Sequence, residues 1–205
     1  MTSRLSPAQR REQIVRAARS AIAQRGLAAT ALRDIAAAAG VSIGTVTYHF
    51  ASTDEILRAV VIAESERFYG DVITAADAEP DARRALQLII EPLFGDSADV
   101  QAHWRIWADY WAIVARRPEI AGAYAMRIRS WEACCVRIIT RGVDDGTFRT
   151  VDPDETALKL AAYSDGLGTQ LAQDAQGITT EAARNWMFEL IDLLLGPRAG
   201  HLDDR

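Results

Sequence analysis

Apolar residues recur every three or four positions along most of the chain, and this spacing restricts the possible folds more than any other feature. Between residues 7 and 25, Ile14, Ala18 and Ile22 would share one face of a helix, and Gly26 would end it. Similar spacing continues almost to the C-terminus. The pattern therefore predicts an all-α protein of about nine helices.

The first part of the chain is predicted to form four helices. Thr30 could cap the second helix and Gly40 would end it. Ser42 can accept a backbone hydrogen bond at the start of a short third helix. Ser52 or Thr53 could cap a long fourth helix that continues to about residue 76.

The stretch GVSIGTVTYHF, residues 40–50, allows two interpretations. Its β-branched content could indicate a hairpin, but it lacks both a two-residue turn and alternation on either side of one. As a helix, it would direct Val46 and Phe50 inward and leave mostly small residues outside. Two helices joined by a short glycine-containing turn form a helix-turn-helix, whose second helix enters the DNA major groove.

Charge is distributed unevenly along the chain. Residues 1–60 contain eight arginines and four acidic residues, a net charge of +4, whereas the remaining residues carry −9. A basic segment attached to an acidic body indicates that this segment alone meets a polyanion.

Five further helices are predicted, at about residues 82–94, 98–115, 119–143, 153–173 and 179–195. The helix at 98–115 carries Trp104, Trp107 and Trp111 on one side and other apolar residues on another. A helix that is apolar nearly all round is buried. Its rings therefore either form a central core or line a cavity.

The last two predicted helices combine leucines with glycines that would permit close helix approach. We assign these helices to a two-fold dimer interface, and the alternative is a core contact within one chain. The predicted interface residues are Gly166, Leu167, Gln170, Leu171, Trp186, Met187, Leu190 and Leu194.

Residues 8–57, with the segment LRDIAAAAGVSIGTV and an aromatic cluster ending at Phe50, resemble the N-terminal DNA-binding domain of TetR-type transcriptional regulators. The rest of the chain is similar to the BetI-type ligand domain of that family, through WRIWADYWAIVARRPEI, GVDDGTF and YSDGLGTQL. The resemblance implies a helix-turn-helix DNA-binding domain over residues 1–55 and an effector-binding and dimerisation domain over residues 56–205. It further implies a homodimeric repressor that binds double-stranded DNA at a palindromic operator and is released by a small-molecule effector.

The exposed side of the two-helix corner is expected to contact DNA. Arg33 and Thr47 should reach base edges, whereas Tyr48, His49 and Thr53 should touch mainly phosphates. Thr47 stands where many members of the family have tyrosine, and Thr53 stands where a lysine usually contacts phosphate. The predicted DNA-binding residues are Arg33, Ser42, Ile43, Gly44, Thr45, Thr47, Tyr48, His49 and Thr53.

Large aromatic rings are concentrated in the second part of the chain, with acidic residues among them. Ring faces attract a desolvated cation and a carboxylate neutralises it, so we expect a cationic or amine-bearing effector. Tyr124 would add another ring. Asp109 has an alternative role as an ion-pair partner of Arg105, and Asp165 could instead satisfy helix-end or interface donors. The predicted ligand-binding residues are Trp104, Trp107, Asp109, Tyr110, Trp111, Trp131, Glu132 and Tyr163.

The sequence contains no motif of a metal site or an active site. His49, His103 and His201 lack ligand spacing, and HExxH, GxSxG, P-loop and GxGxxG motifs are absent. No apolar run reaches the roughly 18 residues of a membrane span, and the N-terminus has no apolar signal segment. We therefore expect a cytoplasmic regulator without cofactor or metal. The alternatives are a cofactor-free all-helical enzyme and a constitutive DNA-binding protein.

Overall fold

The computed structural model describes residues 5–120 and 129–196, and within them it contains nine α-helices and no strand. The prediction of an all-α protein is therefore confirmed. The helices are α1 Pro7–Arg25, α2 Leu32–Ala39, α3 Ile43–His49, α4 Thr53–Ala78, α5 Ala82–Ile90, α6 Ala98–Val114, α7 Ser130–Asp144, α8 Pro153–Ala172 and α9 Thr180–Leu195. Two 3₁₀ turns lie at Glu91–Phe94 and Pro118–Ile120.

Backbone contacts divide the chain into two units. The N-terminal unit comprises Met1–Arg67 and Gln101–Ile128, and the C-terminal unit comprises Phe68–Val100 and Arg129–Arg205. Helices α4 and α6 each contribute residues to both units. The functional boundary after residue 55 stays a prediction, because contacts group segments by packing and not by binding role.

Two of the N-terminal caps predicted for α2, α3 and α4 are observed, and one is not. The Ser42 hydroxyl accepts a hydrogen bond from the Thr45 amide at 3.1 Å, and Ser52 caps α4 by accepting from the Glu55 amide at 3.2 Å. Thr30 does not cap α2, because the N-cap position falls one residue later, at Ala31, and the Thr30 hydroxyl instead donates to the Gly26 carbonyl at 2.7 Å.

The core of the N-terminal unit holds the two-helix corner in place. Ile14 and Ile22 of α1 and Ile35 of α2 are buried with Val46 and Phe50. Helix α1 packs on α2, and α2 packs on α3. Gly40 lies in the left-handed region, with φ of 64°, and so ends α2 in a tight turn.

In the C-terminal unit, α5 packs on α7, α7 on α8, and α8 on α9. The predicted helix at 82–94 divides into α5 and a 3₁₀ turn, because Pro92 has no amide hydrogen to continue the α-helical ladder. The predicted helix at 119–143 is observed from Ser130, and its residues 121–128 lie outside the described residues, as do Tyr124 and His201.

The segment GVDDGTF forms a hook at the end of α7. Gly146 adopts a positive φ of 80°, and the Phe148 amide donates to the Gly142 carbonyl at 2.8 Å. The hook brings the buried Phe148 ring directly over Gly142. The motif therefore packs the end of α7 against its own return turn.

Among the residues that the structure describes, no helix is both long and apolar enough to cross a membrane.

Candidate functional site

Helix α3 exposes the side of the corner that the sequence assigns to DNA. Tyr48 is 81% exposed, and Ile43, Gly44 and Thr47 are exposed beside it. The Arg33 side chain on α2 is also exposed. Because buried Val46 anchors the opposite side of α3, this surface is held outward by the core.

Several hydroxyl groups of α3 are occupied by the helix itself. Ser42 accepts the capping bond, and its hydroxyl lies 2.9 Å from that of Thr45. Thr47 donates to the carbonyls of Ile43 at 3.3 Å and Gly44 at 3.2 Å. His49 and Thr53 are half-buried. A contact from Thr47 to a base would therefore require its hydroxyl to leave the helix backbone.

The start of α1 adds a residue that the sequence interpretation missed. Leu5, Pro7 and Arg10 line one open groove with residues of the corner, namely Gly40, Val41, Thr45, Tyr48 and His49. The arginine-rich run at the beginning of α1 was the available signal, but its position beside α3 depends on the packing of α1. Arg10 is thus a further candidate for phosphate contact.

Helix α6 carries a cluster of aromatic side chains. His103, Trp104, Trp107 and Tyr110 are buried and Trp111 is half-buried. The rings of Trp107 and Trp111 stack with centroids 5.4 Å apart, and the Tyr110 ring meets Trp107 edge-on at 5.7 Å. The rings of α6 lie close to one another on its buried side, as the sequence predicts, but Gln101, Arg105 and Ala112 are exposed. Helix α6 is therefore buried on one side and not nearly all round, because polar residues occupy part of the other side.

Asp109 contacts the turn between α1 and α2. Its carboxylate accepts a hydrogen bond at 2.8 Å from the backbone amide of Leu27, in the turn that follows α1. Within residues 5–120 and 129–196, Asp109 makes no ion pair with Arg105, so this alternative is not observed. Burial raises the pKa of Asp109, although the bond from Leu27 opposes this effect. Asp109 thus links α6 to the turn that precedes α2.

A second link centres on the buried carboxylate of Glu64 in α4. It receives hydrogen bonds from Arg19 of α1, from Arg67 at 2.8 Å and from Nδ1 of His103 at 3.1 Å. Burial acts to raise the pKa of Glu64, but the bonds from His103, Arg19 and Arg67 outweigh it and lower the pKa to about 2. Burial lowers the pKa of His103. The pair is therefore a carboxylate and a neutral imidazole near pH 7.

Other predicted ligand residues belong to the C-terminal unit and have different surroundings. Trp131 is buried, and its indole N–H donates to the Ile89 carbonyl at 3.2 Å. Glu132 pairs with Arg129, whereas Tyr163 is exposed. Burial raises the pKa of Asp165 to about 6. A pocket shared by all the predicted ligand residues stays a prediction.

The predicted dimer residues fall into two groups. Leu167 and Met187 are buried in the core of their own unit, so their side chains cannot form an exposed face. Gly166, Gln170 and Trp186 are exposed, and Leu171, Leu190 and Leu194 are half-buried. Sequence interpretation missed two exposed apolar residues on the same helices, Leu158 and Leu193, which are 50% and 70% exposed.

No group of three or more His, Cys, Asp or Glu side chains in the described part of the chain could hold a metal ion.

Comparison with protein families gives two matches, one to each part of the chain. Residues 14–60 match the family model of bacterial regulatory proteins of the tetR family. Residues 82–196 match the model of the C-terminal domain of BetI-type transcriptional repressors.

Individual proteins give the same result. The transcriptional regulator BetI of Burkholderia thailandensis is 27% identical over 191 residues, which are 93% of this chain and 95% of that protein. A transcriptional regulator of Saccharomonospora viridis, solved in complex with choline, has a TM-score of 0.83 and 27% identity, with 93% of this chain and 100% of that chain covered. A TetR-family regulator of Rhodococcus sp. has a TM-score of 0.80 and 26% identity, and the match covers 92% of this chain and 99% of that chain.

These relatives are transcriptional regulators and not enzymes. The chain belongs to the TetR family of bacterial transcriptional regulators, and its C-terminal domain is of the BetI type.

Proposed function

We propose that this regulator is a dimeric repressor that binds an inverted-repeat operator and is released by a small organic cation. The observation that carries the proposal is the exposed face of α3, held outward by buried Val46 within the segment that matches the tetR family. A two-fold dimer presents two such faces, so half-sites should lie about one helical turn, or a multiple of it, apart.

The test of this function begins with selection of bound sequences from random duplex DNA, followed by release from the selected sites. The proposal expects an inverted repeat and loss of binding upon addition of a small quaternary ammonium compound such as choline. Binding without sequence preference would identify a constitutive DNA-binding protein instead. Turnover of a substrate, without any selected DNA site, would support an enzyme.

The first prediction concerns Arg33 and Tyr48. Arg33→Ala should weaken operator binding by about 1–3 kcal/mol and relax specificity at one base, because Arg33 is proposed to contact a base edge. Tyr48→Ala should weaken binding to all DNA sequences by the same factor, because the Tyr48 hydroxyl is proposed to contact phosphate. Fluorescence anisotropy at fixed salt measures both effects. The control is Arg105→Ala, which removes an exposed positive charge from α6. Unchanged affinity in Arg33→Ala and Tyr48→Ala would contradict the proposed contacts.

The dimer is proposed to form through exposed stripes of α8 and α9. Leu158, Gly166 and Gln170 lie on one side of α8 at helical spacing, and Trp186 and Leu193 lie on one side of α9. A Cβ atom added at Gly166 would meet nothing within 4 Å. A second chain could therefore approach the α8 backbone closely at this position.

The second prediction is that Leu193→Arg produces monomers. The side chain is exposed in the single chain, so arginine should not disturb folding, but in the dimer it would be buried without a partner. Light scattering coupled to gel filtration measures the mass. Gln101→Arg, at an exposed position of α6, is the control. A dimeric Leu193→Arg variant would move the interface elsewhere.

Two features support a cationic effector. The first is the pair of stacked indole rings of Trp107 and Trp111, because an aromatic ring face attracts positive charge, by about 0.5–2 kcal/mol for a well-placed ring. The similar regulator of Saccharomonospora viridis was solved with choline, a quaternary ammonium compound. Both features favour a cation over a neutral or anionic effector.

The mechanism that we propose uses the two links from α6. DNA and effector each favour one of two arrangements of the N-terminal unit, and each therefore weakens the other by the same free energy, typically about 1–3 kcal/mol. Movement of α6 would reach the corner through the bond from Asp109 to Leu27 and reach α1 through His103 and Glu64. In this proposal Asp109 transmits the signal and does not neutralise the effector.

The third prediction separates these two roles of Asp109. An asparagine side chain at this position would carry no charge but could still accept a hydrogen bond from the Leu27 amide. An alanine side chain would carry no charge and could accept no hydrogen bond. The measured quantity is the operator affinity without choline divided by the operator affinity with choline. Asp109→Ala should reduce this ratio about fivefold, because the variant loses one hydrogen bond. Asp109→Asn should retain most of that ratio. If Asp109→Asn instead abolishes choline binding in calorimetry, the carboxylate is a cation ligand.

A further inference from the structure

Two indole N–H groups on α6 are buried without an acceptor among the residues that the structure describes. Trp107 is only 5% exposed, and neither its Nε1 atom nor that of Trp111 has a hydrogen-bond partner within residues 5–120 and 129–196. Buried tryptophans usually find a partner for this group, and about 90% or more of buried polar groups are hydrogen-bonded. These two donors are therefore exceptions that require an explanation.

The two indole rings that carry these donors lie together. Trp107 and Trp111 are one helical turn apart, and their rings stack with centroids 5.4 Å apart and an interplanar angle of 28°. Trp131 shows the usual arrangement for a structural tryptophan, because its N–H donates to the Ile89 carbonyl at 3.2 Å. The unpaired donors thus mark one place on α6 and are not a general property of the buried tryptophans.

Nearby polar groups on the same helix are already engaged elsewhere. Asp109 accepts from the Leu27 amide, and Nδ1 of His103 is bonded to Glu64. A ligand oxygen has two lone pairs and could accept from one indole N–H or from both. The indole rings that carry these donors are the ones proposed above to attract the positive group of the effector.

We infer that the N–H groups of Trp107 and Trp111 form a subsite for an oxygen atom of the effector. The inference rests on the proposed function and adds a requirement to it. The effector should carry a hydroxyl, carbonyl or carboxylate oxygen close to its positive group. A cation of equal size without that oxygen would leave both donors buried and unpaired.

Two probes of nearly equal size test this requirement by calorimetry. Choline carries a hydroxyl group, and propyltrimethylammonium replaces this hydroxyl with a methyl group. Wild type should bind choline at least about fivefold more tightly, the effect of one net hydrogen bond. Trp107→Phe and Trp111→Phe retain a ring face but remove the donor, so each should reduce this preference, and the double variant should lose it.

Indole N–H resonances in nitrogen-labelled protein provide a readout that does not depend on affinity. The single variants assign the signals of Trp107 and Trp111. Choline should shift these two signals downfield, as new hydrogen bonds do, whereas propyltrimethylammonium should not. Trp131, whose N–H is already bonded, is the internal control.

The inference is overturned if wild type binds both probes equally, if the double variant keeps the preference, or if choline neither binds nor shifts the two indoles. The proposed function is tested separately by operator release. Choline that binds with the expected preference but leaves DNA bound would contradict the proposed function and support the subsite. Release of the DNA by choline without any change at the two indoles would support the proposed function and contradict the subsite.

Discussion

Glu64→Gln should lower the free energy of unfolding at pH 7 by about 3 kcal/mol. Folding lowers the pKa of this carboxyl from 4.5 to about 2, and a shift of this size corresponds to about 3 kcal/mol that favours the folded state. Glutamine would keep the shape of the side chain but lose the charge that Arg19, Arg67 and His103 contact. Urea unfolding followed by circular dichroism, at one protein concentration, measures the difference.

The pH dependence of this difference distinguishes charge from packing. Because the folded pKa is depressed, the stabilisation by Glu64 is complete above the unfolded value of 4.5 and disappears as the pH falls toward about 2. The stability curves of wild type and Glu64→Gln should therefore converge over that interval. His103, whose pKa is lowered from 6.5, adds a separate decline in stability below that pH.

The control is Asp71→Asn, which removes an exposed carboxylate from the same helix. It should leave stability within about 0.5 kcal/mol of wild type. A difference between Glu64→Gln and wild type that stays constant from pH 7 to pH 2 would show that lost packing, and not charge, causes the effect.

Gly142→Ala should destabilise the C-terminal unit by about 1–3 kcal/mol, although alanine is the better helix former. A Cβ atom at this position would lie 2.2 Å from Cδ2 of Phe148 and 2.9 Å from Cβ of Ala82. The Phe148 ring cannot withdraw easily, because it is buried and its amide is bonded to the Gly142 carbonyl. Urea unfolding again measures the loss.

Gly70→Ala is the matched control. Gly70 lies inside α4, and an added Cβ atom would meet nothing within 4 Å. The same substitution should therefore stabilise the protein by up to about 1 kcal/mol through helix propensity. If both variants gained stability, the close contact of Gly142 with Phe148 would not exist in solution.

Local pattern predicted which side of α3 is buried and which is exposed. Val46 and Phe50 were expected inward and Tyr48 outward, and the structure shows this arrangement because residues three or four apart share a helix face. Arg10 was missed because its position beside α3 depends on how α1 packs on α2, which no local pattern encodes.

The sequence alone determined the all-helical class, the helix-turn-helix corner and which rings of α6 are buried. Periodicity and capping residues such as Ser42 act within one or two helical turns, so they can be recognised from neighbouring residues in the sequence. The tertiary structure alone decided which partners these helices meet. Asp109 bonds to Leu27, 82 positions earlier, and Leu167 faces its own core, because spacing shows that residues share a face but not what covers it.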